Sequence, residues 1–176
     1  LADMLNGMGA DVSGAGTPRI EIHGVESLGN VDYQVIPDRI VAGTIAMAVA
    51  ITNGDATLTN FPYDNLLAVL DRLTAAGVHI QRCDDTEPAN RCTVKVSSDR
   101  NLKPVLFTTQ PYPGYPTDLQ AQMMTVLCLA DGNSIVTERI YPDRFLHVSE
   151  LTRMGAKLFR SGPTVVVQGG GELIGA

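Results

Sequence analysis

One spacing recurs through this 176-residue chain and limits its possible folds more than any other feature. Asn53-Gly54-Asp55-Ala56-Thr57-Leu58-Thr59 parallels Asp131-Gly132-Asn133-Ser134-Ile135-Val136-Thr137, with the two glycines 78 positions apart. Leu73-Thr74-Ala75-Ala76-Gly77-Val78 parallels Leu151-Thr152-Arg153-Met154-Gly155-Ala156 at the same offset of 78. A third copy of that second motif, Leu5-Asn6-Gly7-Met8-Gly9-Ala10, lies near the start. Two independent landmarks with one period mark a chain assembled from repeated supersecondary units.

Each Leu-x-x-x-Gly motif closes an amphipathic stretch. Leu1, Met4, Leu5 and Met8 fall at i, i+3, i+4 and i+7, as do Leu66, Val69, Leu70 and Leu73. Phe145, Val148, Leu151 and Met154 keep the i+3 spacing. That period predicts helices with one buried face. The glycine after each suits a left-handed C-cap, and Asp64 is placed to cap the second helix at its start.

Alternation follows each glycine, at Ala10/Val12, Val78/Ile80 and Ala156/Leu158. β-Rich runs come next, Ile20–Val25, Cys92–Val96 and Thr164–Val167. Both patterns predict strands. Two almost wholly apolar runs, Ile40–Ile51 and Leu119–Ala130, predict helices buried on every side, each preceded by a proline (Pro37, Pro116). The order per unit is buried helix, strand, amphipathic helix, strand, strand. It predicts an α/β fold of α+β repeats with parallel crossovers, the apolar helices enclosed between sheet and amphipathic helices.

Composition removes several function classes. The net charge is −6, whereas a polyanion-binding module is normally basic, so nucleic acid is not an expected partner. No run reaches the roughly 18–20 apolar residues of a bilayer span, so no membrane role is expected, and no signal-peptide pattern is visible. Cys83, Cys92 and Cys128 give an odd count without paired spacing, hence no disulfide framework, no metal knuckle and a reduced, cytoplasmic setting. Neither Cys83 nor Cys92 has a base nearby in sequence, and Cys128, in the apolar helix, reads as inert core. His23, His79 and His147 are scattered and read as surface or edge residues, and Gly169-Gly170-Gly171 reads as a loop. The chain opens on Leu1-Ala2-Asp3 inside a helical pattern and reads as an internal segment of something longer.

Chemistry is expected in the loops ahead of the apolar helices, whose N-termini attract anions and oriented hydroxyls. One is Tyr33–Arg39. The other, Gln110–Asp118, packs three prolines, a glycine and two tyrosines ahead of Thr117-Asp118. Two readings of that pair stand side by side. Either residue caps the helix, or Asp118 accepts a proton from a substrate hydroxyl. A helix N-terminus favours the ionised carboxylate, which makes it an orienting acceptor that takes the proton late. A third loop, Glu138–Phe145, carries Arg144, which can hold an anion, pair with Asp38, Asp118 or Asp143, or lie in a plain surface cap.

These residues also carry a family resemblance. The runs Pro37-Asp38-Arg39-Ile40 with Gly43-Thr44, Tyr115-Pro116-Thr117-Asp118-Leu119-Gln120-Ala121-Gln122, and Arg144-Phe145 through Glu150-Leu151-Thr152-Arg153-Met154-Gly155-Ala156 resemble the UDP-N-acetylglucosamine 1-carboxyvinyltransferases. The likeness covers essentially the whole chain. Shikimate-pathway enolpyruvyl transferases share the fold but lack these strings. The chain departs from the family at Val41, where an acidic residue is usual, and at Asp143, where asparagine is common.

The resemblance implies βαβαββ units arranged in two halves, with substrates in the cleft between them. It implies transfer of the enolpyruvyl group of phosphoenolpyruvate to the 3-hydroxyl of UDP-N-acetylglucosamine, the first committed step of peptidoglycan synthesis, without cofactor or metal. Asp118 matches the carboxylate proposed as base for the reacting hydroxyl, and Thr117 lies beside it. Ile140 matches the position whose backbone contacts the nucleotide sugar, with Tyr141 near the uridine. Arg144 matches a cleft arginine and Asp38 a cleft aspartate at the hinge. Residues 1–36 correspond to the end of the loop-bearing half, and 37–176 to a partial second half with one complete and one near-complete unit. The family's loop cysteine matches none of the three here, so the segment is expected to supply one wall of a site, to be inactive alone, and to self-associate through uncovered apolar faces. A shikimate-pathway activity and a non-catalytic nucleotide-sugar-binding module are the alternatives.

Overall fold

A computed structural model describes residues 1–84, 86–99 and 101–175, and the chain divides into two compact units, 1–35 and 36–176. The smaller unit holds helix α1 (Ala2–Gly7) and a two-stranded antiparallel ribbon, β1 (Asp11–Ser13) with β2 (Glu21–His23), in which Val12 faces Ile22. The Asn6 side chain ties helix to ribbon by donating to the Val12 carbonyl (2.7 Å) and accepting from the Val12 N–H (2.9 Å). The amphipathic face expected of α1 is not buried within this unit, because one helix and one ribbon are too little to enclose it.

The larger unit is the repeat made visible. Its first copy runs α2 (Arg39–Ile51), β3 (Asp55–Phe61), α3 (Leu67–Ala75), β4 (His79–Arg82) and β5 (Cys92–Ser97). Its second runs β6 (Leu106–Thr108), α4 (Gln120–Leu127), β7 (Asn133–Thr137), α5 (Leu146–Arg153), β8 (Lys157–Ser161) and β9 (Thr164–Gln168). The sheets are ordered β3-β5-β4 and β6-β7-β9-β8. Parallel crossovers are fewer than expected. The first sheet is wholly antiparallel, and only β6 with β7 is parallel in the second, because each copy closes on an antiparallel strand pair.

The glycine caps hold in all three places. Gly9, Gly77 and Gly155 follow their helices at φ 99°, 95° and 97°, where a Cβ would be strained. Asp64 does not cap α3. It lies in a 3-10 turn, Tyr63–Asn65, and α3 starts after Leu66 without a side-chain cap.

One core joins the two copies. Leu66, Val69, Leu70 and Leu73 of the first are buried, as are Phe145 and Leu151 of the second. Helices α2 and α4 pack at equivalent points: Gln122 donates to the Thr44 hydroxyl (3.2 Å), and these positions are 78 apart. Gly43 permits the approach, since a Cβ there would stand 2.5 Å from the buried Leu119 Cδ1. Helix α2 is not buried on every side. Val41 is 54% and Ile45 44% exposed along a hollow shared with β3, so the apolar helix keeps one uncovered face.

Candidate functional site

The loop between β6 and α4 is fixed before it reaches the helix. Gln110 N–H bonds the Tyr115 carbonyl (2.9 Å) and Gly114 N–H the Pro111 carbonyl (2.8 Å), closing the loop on itself around a cis Tyr112–Pro113 bond. Tyr115 is buried, packs its ring 4.2 Å from that of Phe107, and donates its hydroxyl to the Leu119 carbonyl (3.2 Å). Thr117 and Asp118 then sit in a 3-10 turn, Thr117–Leu119, that leads into α4.

Neither residue caps the helix, since neither 3-10 turn nor α4 receives a side-chain cap. Their side chains go elsewhere. Arg144 Nη1 donates to Asp118 Oδ1 (2.7 Å) and to the Thr117 hydroxyl (3.3 Å). Of the three aspartates considered for Arg144, Asp118 is the one it pairs with, while Asp143 pairs with Arg160 (2.8 Å). The Arg144 guanidinium also lies over the Tyr141 ring (5.9 Å), and its backbone carbonyl accepts from the buried Gln120 amide (3.4 Å). Asp118, Tyr141, Pro142, Asp143 and Arg144 line one open hollow of about 660 Å³. Both charged side chains remain about half exposed, so the pair offers a ligand a carboxylate and a cation side by side rather than a closed ion pair.

Asp38 lies apart from this hollow. Its Oδ1 accepts from Ile40 N–H (2.7 Å) and Val41 N–H (3.2 Å), capping α2, and it borders hollows beside that helix. Thr117, Asp118, Tyr141 and Arg144 therefore come together, with Ile140 entering through its backbone, and Asp38 does not join them.

The residue that assembles the group is Glu138, which carried no role in the sequence reading. It is 0% exposed. Its Oε1 accepts from the Thr109 hydroxyl (2.6 Å), Ile140 N–H (2.8 Å) and Tyr141 N–H (3.0 Å), and its Oε2 from the Thr117 hydroxyl (2.8 Å). Burial alone would push this carboxyl up. The four donors outweigh burial and hold it below the ordinary glutamate range, so it stays ionised inside the protein. A signal for it existed: it continues the inward parity of Ser134 and Val136, where an acid requires partners.

Next to the site, burial first and the Arg144 charge second lower the affinity of His147 for a proton, against a smaller opposing pull from Glu138. Burial pushes the Cys128 thiol up to about 11, consistent with inert core. Among the described residues no group of three or more His, Cys, Asp or Glu is arranged to hold a metal ion, and no helix is long and apolar enough to cross a membrane.

With this geometry in view, the likeness to known proteins acquires residues. A family model described as EPSP synthase (3-phosphoshikimate 1-carboxyvinyltransferase) matches residues 1–176. The chain is 47% identical over 176 residues to a UDP-N-acetylglucosamine 1-carboxyvinyltransferase of Desulfosudis oleivorans, covering 100% of this chain and 40% of that one. It is 50% identical over 170 residues to the protein of the same name from Deinococcus radiodurans, covering 97% and 38%. The chain thus spans about 40% of the length of these relatives. Among solved structures, the enolpyruvyl transferase NikO from Streptomyces tendae superposes with a TM-score of 0.77 at 26% identity, over 94% of this chain and 38% of that one. EPSP synthase from Acinetobacter baumannii superposes with a TM-score of 0.69 over 96% and 39%, and at 18% identity it speaks for the fold alone.

Proposed function

The chain belongs to the EPSP synthase family of enolpyruvyl transferases, and from that premise we propose that it forms one wall of the active site of an enzyme joining phosphoenolpyruvate to UDP-N-acetylglucosamine. The reaction adds the 3-hydroxyl of the sugar to C2 of the enol, protonates C3 and then expels phosphate. The acceptor sugar is favoured over 3-phosphoshikimate because relatives 45–50% identical to the chain carry the UDP-N-acetylglucosamine name.

The observation that carries the reading is the Asp118–Arg144 pair at the mouth of the hollow. The addition step requires an acceptor for the hydroxyl proton. Asp118 offers an oxygen held in direction by Arg144, and Oδ2 is free of that bond to receive the proton as the C–O bond forms. Arg144 also faces the hollow as a cation, suited to the negative charge of phosphoenolpyruvate or a diphosphate. The backbone of Ile140 and the ring of Tyr141 supply the neighbouring surface for the nucleotide sugar. Asp38, spent as a helix cap, is assigned a hinge role at the entry to α2. Residues 1–36 belong on this reading to the loop-bearing half and 37–176 to the other, and the enzyme works in the cytoplasm. Uncovered side chains such as Val41 and Ile45 favour self-association of this segment when it stands alone.

The test is Asp118→Asn in a protein of the relatives' full length. The exchange keeps size and hydrogen bonding but removes the proton acceptor, so kcat for enolpyruvyl transfer is expected to fall by roughly 10²-fold or more while UDP-N-acetylglucosamine still binds. Activity within a few-fold of the parent removes the assigned role. The 176-residue chain alone is expected to show no turnover.

A further inference from the structure

Glu138 has no place in the reaction as proposed, yet every part of the candidate site is fastened to it. Its carboxylate joins the end of β6 (Thr109), the entry to α4 (Thr117) and the turn that carries Arg144 (Ile140 and Tyr141 N–H). We propose that Glu138 is a positioning residue for the transfer: by accepting the Thr117 hydroxyl's hydrogen bond it leaves a Thr117 lone pair toward Arg144 and so fixes the guanidinium that directs Asp118.

The inference follows from counting protons. An ionised carboxylate only accepts, so the single proton of each hydroxyl that meets it must point inward. Thr109 donates to Oε1, which leaves its oxygen to accept from Arg139 N–H (2.9 Å). Thr117 donates to Oε2, which leaves its oxygen to accept from Arg144 Nη1 (3.3 Å). The same Nη1 reaches Asp118 Oδ1. The order Glu138–Thr117–Arg144–Asp118 therefore alternates acceptor and donor without a conflict, and it does so only while Glu138 is an acceptor at Oε2.

The first repeat argues against a merely structural role. Seventy-eight positions before Glu138 stands Asn60, exposed at the end of β3 with φ 55°, and Leu66 stands where the second repeat has Arg144. The scaffold is built without a buried acid at that corner. The acid appears in the copy that carries the Asp118–Arg144 pair.

The inference rests on the transferase reading, and its test is arranged so that the two fail separately. In the full-length protein, Glu138→Gln keeps the shape but presents an amide N–H₂ to Thr117, which removes the acceptor that holds the hydroxyl proton away from Arg144. We expect kcat to fall by about 10- to 100-fold with the KM for UDP-N-acetylglucosamine within about threefold, the signature of lost positioning rather than lost binding. Thr117→Val should produce a similar loss, Thr117→Ser should stay within about threefold of the parent, and Glu138→Gln added to Thr117→Val should cost little more than either alone. An unchanged kcat in Glu138→Gln, or losses that multiply in the double variant, overturns the proposal. Should Glu138→Gln fail to fold, the Thr117→Val and Thr117→Ser pair decides, and equal activity of those two overturns it. A parent without transfer activity would sink the transferase reading. Positioning would then be read from the Arg144 side-chain ¹⁵N resonance, which must shift in Glu138→Gln and stay unmoved if the proposal is wrong.

Discussion

The two repeats of the larger unit share the order helix, strand, helix, strand, strand and are unlike as chemistry. Leu73 and Leu151 fill the same helix position, Gly77 and Gly155 end the same helix, and Gly54 and Gly132 precede the same strand. At the corner where strand turns toward helix, however, the first repeat has Asn60, Leu66 and Val69, and the second has Glu138, Arg144 and His147. The first corner closes with a buried leucine and valine and needs no polar network. The second places an acid inside the protein, a cation at its rim and an aspartate beside the cation. The duplicated core gives a rigid frame twice, and a small number of polar exchanges turns one copy into a site.

Shared framework should fail in the same way in both copies. Leu73→Ala is expected to cost roughly 2–5 kcal/mol, because a fully buried leucine leaves both its transfer energy and a cavity. Leu151→Ala should fall in or just below that range, since Leu151 is 6% exposed against 0% for Leu73. Denaturant unfolding of the two variants checks this. A loss in one copy several-fold greater than in the other would mean the repeats do not carry the core equally.

Acid should separate the copies. Glu138 is held below the ordinary glutamate value in the folded protein, so the unfolded chain binds more protons and stability rises with pH through that range. Its contribution is complete above the unfolded value, about 4.3, and is lost as pH falls through the depressed folded one. His147 is lowered as well, so its contribution is complete above its unfolded value near 6.5 and declines as pH drops through that value toward the folded one. Asn60 and Val69, the counterparts, do not titrate. Hydrogen exchange between pH 7 and 5, a window in which Glu138 stays ionised, should therefore show protection fading earlier in 106–168 than in 39–97 through His147, and His147→Gln should remove that difference. Equal fading in both would break the contrast.

How much of this was legible beforehand depends on whether the signal was local. The glycine caps could be read because a left-handed residue after a helix is a demand on one position. The buried Val69, Leu70 and Leu73 of α3, with Leu66 just before it, could be read because a helix repeats its face every 3.6 residues. Strand order could not, since pairing β5 between β3 and β4 depends on contacts distant in sequence. The role of Asp64 is not legible, because its spacing allows a helix cap while the chain uses it in the 3-10 turn before α3. Thr117, Asp118, Tyr141 and Arg144 were legible as neighbours through motif likeness. Glu138 was not, because a single acid at a strand end has no period. Only the inward parity it shares with Ser134 and Val136, read against Asn60 in the other copy, distinguishes it.

The smallest expected effect is the sharpest control on the comparison. Asn60→Gln changes the counterpart of Glu138 to the same residue used to disable Glu138. Asn60 is exposed and its backbone is left-handed, a conformation asparagine tolerates better than glutamine, so a modest stability loss of up to about 1 kcal/mol is expected. Asn60 lines a hollow with Pro37, Asp38 and β3 rather than the one at Asp118. Transfer activity in the full-length protein should therefore stay within about twofold of the parent, far from the loss expected for Glu138→Gln. If the two glutamine variants lost activity alike, the corner of the first repeat would have to share in the chemistry, and the division between frame and site drawn from the repeat would be wrong.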